Sequence, residues 1–139
     1  MEESARYLMF HAVVVLLTGL LAGIPYGRAI LKKSNDSLID AWRVAHAALP
    51  MGAILLLVLS VSFSGLNVAV NLKWIISILF IISGYGFIVA LILGPIVGHR
   101  GLSSRGPLVA KLVYSGNLLG AITSLFGTVV LLYAAWLNL

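Results

Sequence analysis

Four apolar stretches, near residues 7–31, 38–63, 72–97 and 108–138, constrain this chain more than any other feature. Each is longer than the roughly 20 residues a helix needs to cross the hydrocarbon core of a bilayer. Inside that core every backbone N–H and C=O must be satisfied internally, so a long apolar run is best solved as an α-helix. The connections are short and polar, which predicts antiparallel neighbours. The expected fold is therefore all-α: an integral membrane, four-helix antiparallel transmembrane bundle, one domain over residues 1–139. Only 9% of residues are charged, against roughly 25% in soluble domains. The first run follows Glu2 and Glu3 and shows no small-residue cleavage site, so it reads as a span and not as a signal peptide.

The few polar residues exclude much chemistry. There are no cysteines, which removes disulfides, thiolate haem ligation, iron–sulfur clusters and Cys-based zinc sites. The four acidic residues are Glu2, Glu3, Asp36 and Asp40, none deep in a span. Paired carboxylates for acid–base work, a membrane carboxylate relay and a di-metal carboxylate site are all missing. The net charge of +5 sits in short loops beside apolar spans, which fits membrane topology and not a nucleic-acid surface. Arg28, Lys32, Lys33 and Arg43 flank the first connection, and Arg100, Arg105 and Lys111 the third. Arg6 and Lys73 alone lie on the opposite side. The positive-inside rule then predicts both basic loops in the cytoplasm and both termini outside an inner, cytoplasmic membrane.

Local signals place the helix ends. Ser37 is expected to cap the second helix, with Asp40 in its first turn. Pro107 suits the first turn of the fourth. Asn71-Leu72-Lys73-Trp74 suits the start of the third, with Trp74 at the interface. Gly19, Gly23 and Gly27 form a small-xxx-small stripe on the first helix. Gly116, Gly120, Ser124 and Gly127 form another on the fourth. Such stripes let membrane helices approach closely. They predict tight packing first, with room for a flat cofactor or a subunit contact as the alternative.

Three histidines are the remaining chemical resource. His46 lies near the start of the second apolar run, where an ionisable group is a functional-site candidate by default. Its alternative is a structural bond to a neighbouring helix. Pro50, four residues on, should free the His46 carbonyl and bend the helix. His11 falls on the glycine face of the first helix and should point into the bundle. His11 and His46 enter from opposite sides, leaving roughly 18 Å between them across a core of about 30 Å, too far to share a metal. His99 ends the third helix on the His46 side and is read either as a solvated loop residue or as a second ligand. Arg43, one turn before His46, suits either a snorkelling role or an anionic cofactor group.

At these residues the chain resembles the styrene oxide isomerase family of small bacterial membrane proteins. The resemblance rests on Trp42-Arg43-Val44-Ala45-His46 with Pro50 following, and on His11-Ala12 with glycines following. It continues through Gly86-Phe87, Pro95, Arg100-Gly101-Leu102 and Gly106-Pro107. It implies a four-helix membrane enzyme, assembled as a homotrimer, that binds haem b through the histidine matching His46. It further implies isomerisation of an aryl epoxide to an aldehyde, with ferric haem as Lewis acid and no net redox change. Lewis-acid polarisation needs no protein carboxylate. Three family polar positions are altered here: an asparagine matches Gly52, a tyrosine Ile88 and an acidic residue Phe80. Tyr85 and Asn117 are the substitutes expected on the substrate side, with Tyr114 and Ser83 as other polar candidates. Arg43 and Arg100 are the residues expected to meet the haem propionates. The expected partners are the bilayer, a hydrophobic small-molecule substrate and further copies of the chain.

Two other readings stay open on sequence. One is a haem protein for electron transfer or sensing, which would need a second ligand, with His46 and His99 as the pair. The other is a cofactor-free packing or transport subunit whose histidines are merely hydrogen-bonded.

Overall fold

A computed structural model describes all 139 residues. The chain forms five α-helices: α1 (Glu3–Leu21), α2 (Gly23–Leu31), α3 (Asp36–Ser62), α4 (Val70–Val97) and α5 (Leu108–Trp136), with a short 3-10 turn at Phe63–Gly65. Helices α1 and α2 together make the first of four segments long and apolar enough to span a membrane. The expected four-span fold is therefore what the chain adopts.

The first span is interrupted at Ala22, a feature the apolar pattern alone does not show. Pro25 explains it: proline has no N–H to donate and its ring crowds the carbonyl four residues back, that of Leu21. The backbone bonds that bridge the break run from Ala22 N–H to Thr18 and from Tyr26 N–H to Ala22. The Gly19 carbonyl is left for another donor. Pro50 and Pro95, by contrast, lie inside α3 and α4 without ending them.

Two helix starts differ from expectation. Asn35, not Ser37, caps α3: its backbone is extended and its Oδ1 accepts from Leu38 N–H at 2.9 Å. Asparagine caps as well as serine, so the helix begins earlier and takes Ser37 into its first turn. Pro107 is the cap of α5 and Leu108 its first helical residue. Helix α4 starts at Val70, close to the expected Asn71, and Trp74 stacks on Tyr7 at 5.4 Å near that end.

Helix α4 is the hub. It packs against α1 and α3 on one side and α5 on the other, while α3 also lies along α1 and α2. Leu8, Val15, Leu56, Phe63, Ile76 and Phe80 form the centre of the α1–α3–α4 core. The α4–α5 seam is built differently, from near backbone contact. A Cβ on Gly86 would lie 2.8 Å from Gly120 N and 2.9 Å from the Gly116 carbonyl. Ser83 Oγ donates to the Gly120 carbonyl at 2.8 Å across the same seam. The stripe on α5 is thus used for helix packing, as small residues in membrane helices generally are.

Lys73 departs from its expected role as a free topology charge. It is 4% exposed, and its Nζ donates to Glu2 Oε1 at 2.7 Å and to the Phe63 carbonyl at 2.8 Å. Its charge is neutralised within the chain, which sharpens the asymmetry between the two ends of the bundle. The same end holds the C-terminus, where Asn138 Oδ1 accepts from Asn67 N–H at 2.8 Å.

Candidate functional site

The interruption in the first span creates the site around His46. Gly19 and Gly23 face α3. A Cβ on Gly19 would meet Leu49 Cβ at 2.8 Å and run into the Pro50 ring, and one on Gly23 would lie 2.9 Å from His46 Cε1. Two glycines one turn apart therefore admit the imidazole and the proline ring side by side. Gly27, the third glycine of the stripe, has nothing within 4 Å of its Cβ position. The stripe packs at two positions and opens at the third.

His46 Nδ1 lies 2.9 Å from the Gly19 carbonyl. A carbonyl only accepts, so Nδ1 carries the proton and donates. Nε2 then bears the lone pair, and it makes no hydrogen bond within the chain. A backbone carbonyl holding Nδ1–H is the arrangement that fixes tautomer and ring orientation in metal-ligating histidines. Tyr26, one turn past the break, places its ring 6.1 Å from the imidazole at 32°. Arg43 is one turn before His46, with a largely exposed side chain that pairs with Asp40 at 3.0 Å.

The other histidines are elsewhere. His11 Nδ1 is 2.8 Å from the Tyr85 hydroxyl, and the two rings meet edge-on at 5.5 Å on the α1–α4 seam. His46 sits at the level of Gly23, twelve residues along the first span from His11, or about 18 Å at the helical rise. The two histidines thus bond to different parts of the bundle. Tyr85 consequently stands with His11, away from His46. His99 follows α4 in an exposed loop. No cluster of three or more His, Asp or Glu side chains is gathered anywhere in the chain.

A cleft of about 340 Å³ opens between α3 and α5, which stand apart on either side of α4. Ala48, Gly52 and Leu55 form the α3 wall, Phe80, Gly84 and Phe87 the floor, and Asn117 and Ser124 the α5 wall. Ala48 follows His46 by two residues, about 200° around the helix, so the cleft starts near the level of the histidine but on the face of α3 turned away from it. Gly52 and Phe80, two of the three altered positions, both line it. Ile88 does not, and packs against the core instead. Asn117 is the clearest polar group here. Its Nδ2 also reaches the carbonyls of Arg100 and Gly101, at 3.4 and 3.5 Å. Ser83 faces the cleft from the α4–α5 seam. Tyr114 is half-buried and not part of the lining. Arg100 lines a separate concavity with His99, Ser103 and Arg105.

Sequence reasoning singled out His46, Arg43 and Asn117 but missed Gly19 as the partner of His46. The signal was present: Gly19, Gly23 and Pro25 together mark a span that breaks and releases a carbonyl.

Four helices long and apolar enough to span a membrane, with one oriented histidine and a separate apolar cleft, define a small integral-membrane protein. The family model for styrene oxide isomerase matches residues 4–136, nearly the whole chain, and the protein belongs to that family. No curated protein matches the chain.

Proposed function

We propose that the protein is an epoxide isomerase-like membrane enzyme that holds haem b on His46 Nε2. The observation that carries this reading is the 2.9 Å bond from Nδ1–H to the Gly19 carbonyl. In the neutral tautomer it directs the Nε2 lone pair away from the Gly19 carbonyl, and His46 would then be the residue that holds the haem iron. Family membership independently suggests epoxide isomerisation. When bound, haem would supply a Lewis-acidic iron suited to polarising an epoxide oxygen.

The chain's own residues do the rest. The Gly19 carbonyl orients the ring. Arg43 offers an exposed guanidinium that can turn from Asp40 to a haem propionate, a carboxylate of the same kind. Arg100, the other arginine expected there, has surroundings that suit a different anion. The α3–α5 cleft offers apolar walls that would take the aryl group of a substrate. Asn117, with Ser83 and Ser124 as lesser contributors, supplies the polar atoms that orient the substrate. Tyr85 is too far along the bundle from His46 to serve the same substrate within one subunit. The many exposed apolar side chains of the bundle suit lipid and further copies of the chain, and the resemblance implies a homotrimer.

Conversion of an aryl epoxide to its aldehyde by the purified, haem-loaded protein tests the reading. The expected result is aldehyde formation that fails in His46→Ala. Haem uptake without aldehyde would overturn the activity and leave a haem protein of another kind. Failure to take up haem at all would overturn the cofactor.

A further inference from the structure

We propose that the loop joining α4 to α5 is a binding site for the phosphate of an anionic phospholipid headgroup. Residues 98–107 connect two membrane spans, which places them at the height of the headgroups. They enclose a concavity of about 210 Å³ lined by His99, Arg100, Gly101, Ser103 and Arg105, with Ala110 of α5 beside them.

The charge in this concavity has no partner in the chain. The two ion pairs present are Arg43–Asp40 and Lys73–Glu2. No Asp or Glu occurs after Asp40, and the C-terminal carboxylate lies at the other end of the bundle. No carboxylate of the chain pairs with Arg100 or Arg105, so both are open to an anion from outside. Arginine is the side chain best matched to phosphate, because its planar fork can donate two parallel bonds.

The loop is also shaped. Gly98, Gly101 and Gly106 hold φ values of 70°, 66° and 123°, which side-chain-bearing residues rarely adopt. A Cβ on Gly101 would lie 2.6 Å from Asn117 Nδ2 and 2.7 Å from Val113 Cγ1. The turn is therefore seated directly on α5, and Arg105 N–H is held by Ser103 Oγ at 3.2 Å. Topology alone does not ask for this. The positive-inside rule counts charges and is met by arginines in any loop conformation. A fixed concavity with two arginines and no internal anion is what a ligand phosphate asks for.

The test compares thermal stabilisation and lipid retention of the detergent-purified protein with phosphatidylglycerol, with phosphatidylcholine and with inorganic phosphate. Wild type is expected to retain phosphatidylglycerol preferentially. Each arginine should contribute roughly fivefold and the pair roughly 25-fold, as for basic residues at anionic membranes. Arg100→Gln/Arg105→Gln should abolish the preference, whereas Arg28→Gln/Lys32→Gln, in the other basic loop, should keep it. Arg100→Lys/Arg105→Lys preserves the charge that directs insertion and should retain a weaker preference, which keeps the test valid if the glutamine pair inserts poorly. Equal losses from both glutamine pairs would reduce the effect to diffuse surface charge and overturn the proposal. So would equal retention of the two lipids, or inorganic phosphate stabilising as well as phosphatidylglycerol, which would make this a free-anion site. None of these outcomes bears on haem binding, which is read separately.

Discussion

His11 and His46 are both half-buried histidines of membrane-spanning helices, and each makes one hydrogen bond through Nδ1. Their partners differ in kind. His46 meets a backbone carbonyl, which accepts only, so Nδ1 must donate, while Nε2 makes no bond within the chain. His11 meets the Tyr85 hydroxyl, which can donate or accept, so neither tautomer is imposed. Glycines and a broken helix surround His46 and bring the partner carbonyl into reach. Around His11 the first span is an unbroken helix with its carbonyls committed to its own ladder. The difference lies in the kind of partner each Nδ1 meets, and not in burial, which is similar for the two.

Several substitutions can break or sharpen this contrast. Gly23→Val should act most strongly, because even a Cβ there lies 2.9 Å from the imidazole. Haem retention, followed by absorbance after gel filtration, should fall about 10- to 100-fold, the usual effect of disturbing a ligand's support. Gly86→Val overpacks the α4–α5 seam and should cost about 1–3 kcal/mol. Thermal unfolding should reveal that loss, with His46 ligation intact in whatever protein remains folded. Glu2→Gln removes the charge that pairs with Lys73 and keeps an oxygen that can accept from its Nζ. Because Glu2 is partly exposed, the expected cost is about 1 kcal/mol, visible as a small drop in Tm with an unchanged haem spectrum. Tyr85→Phe should be mildest, about 0.6 kcal/mol as for a typical interhelical membrane bond, again with haem untouched. A spectral change in Tyr85→Phe as large as that in Gly23→Val would erase the distinction between the two histidines.

The four spans were legible because each apolar run outlasts the bilayer core and no soluble fold needs that length. The glycine stripes were legible as packing faces, since spacing alone aligns them on one side of a helix. Their partners were not. The Gly19–His46 bond joins residues 27 apart and the His11–Tyr85 bond joins residues 74 apart, and neither pairing follows from periodicity within one helix. The break at Ala22 follows from Pro25, but its consequence, a carbonyl offered to a neighbouring helix, depends on which helix lies alongside. Asn35 displaced Ser37 as cap because several residues in succession can cap and local sequence ranks them closely. Helix order in the bundle is not written in hydropathy either. That order sets α5 against α4 alone, opens the α3–α5 cleft, and gives Asn117 two tasks, one in the cleft and one beneath the basic loop.

The most direct test of the contrast is the visible spectrum of the purified protein beside His46→Ala and His11→Ala, all prepared with ample haem. Wild type and His11→Ala should share one Soret band, and His46→Ala should lose it or shift it strongly. An unchanged band in His46→Ala, or its loss in His11→Ala, would contradict the assignment of His46 as the ligand.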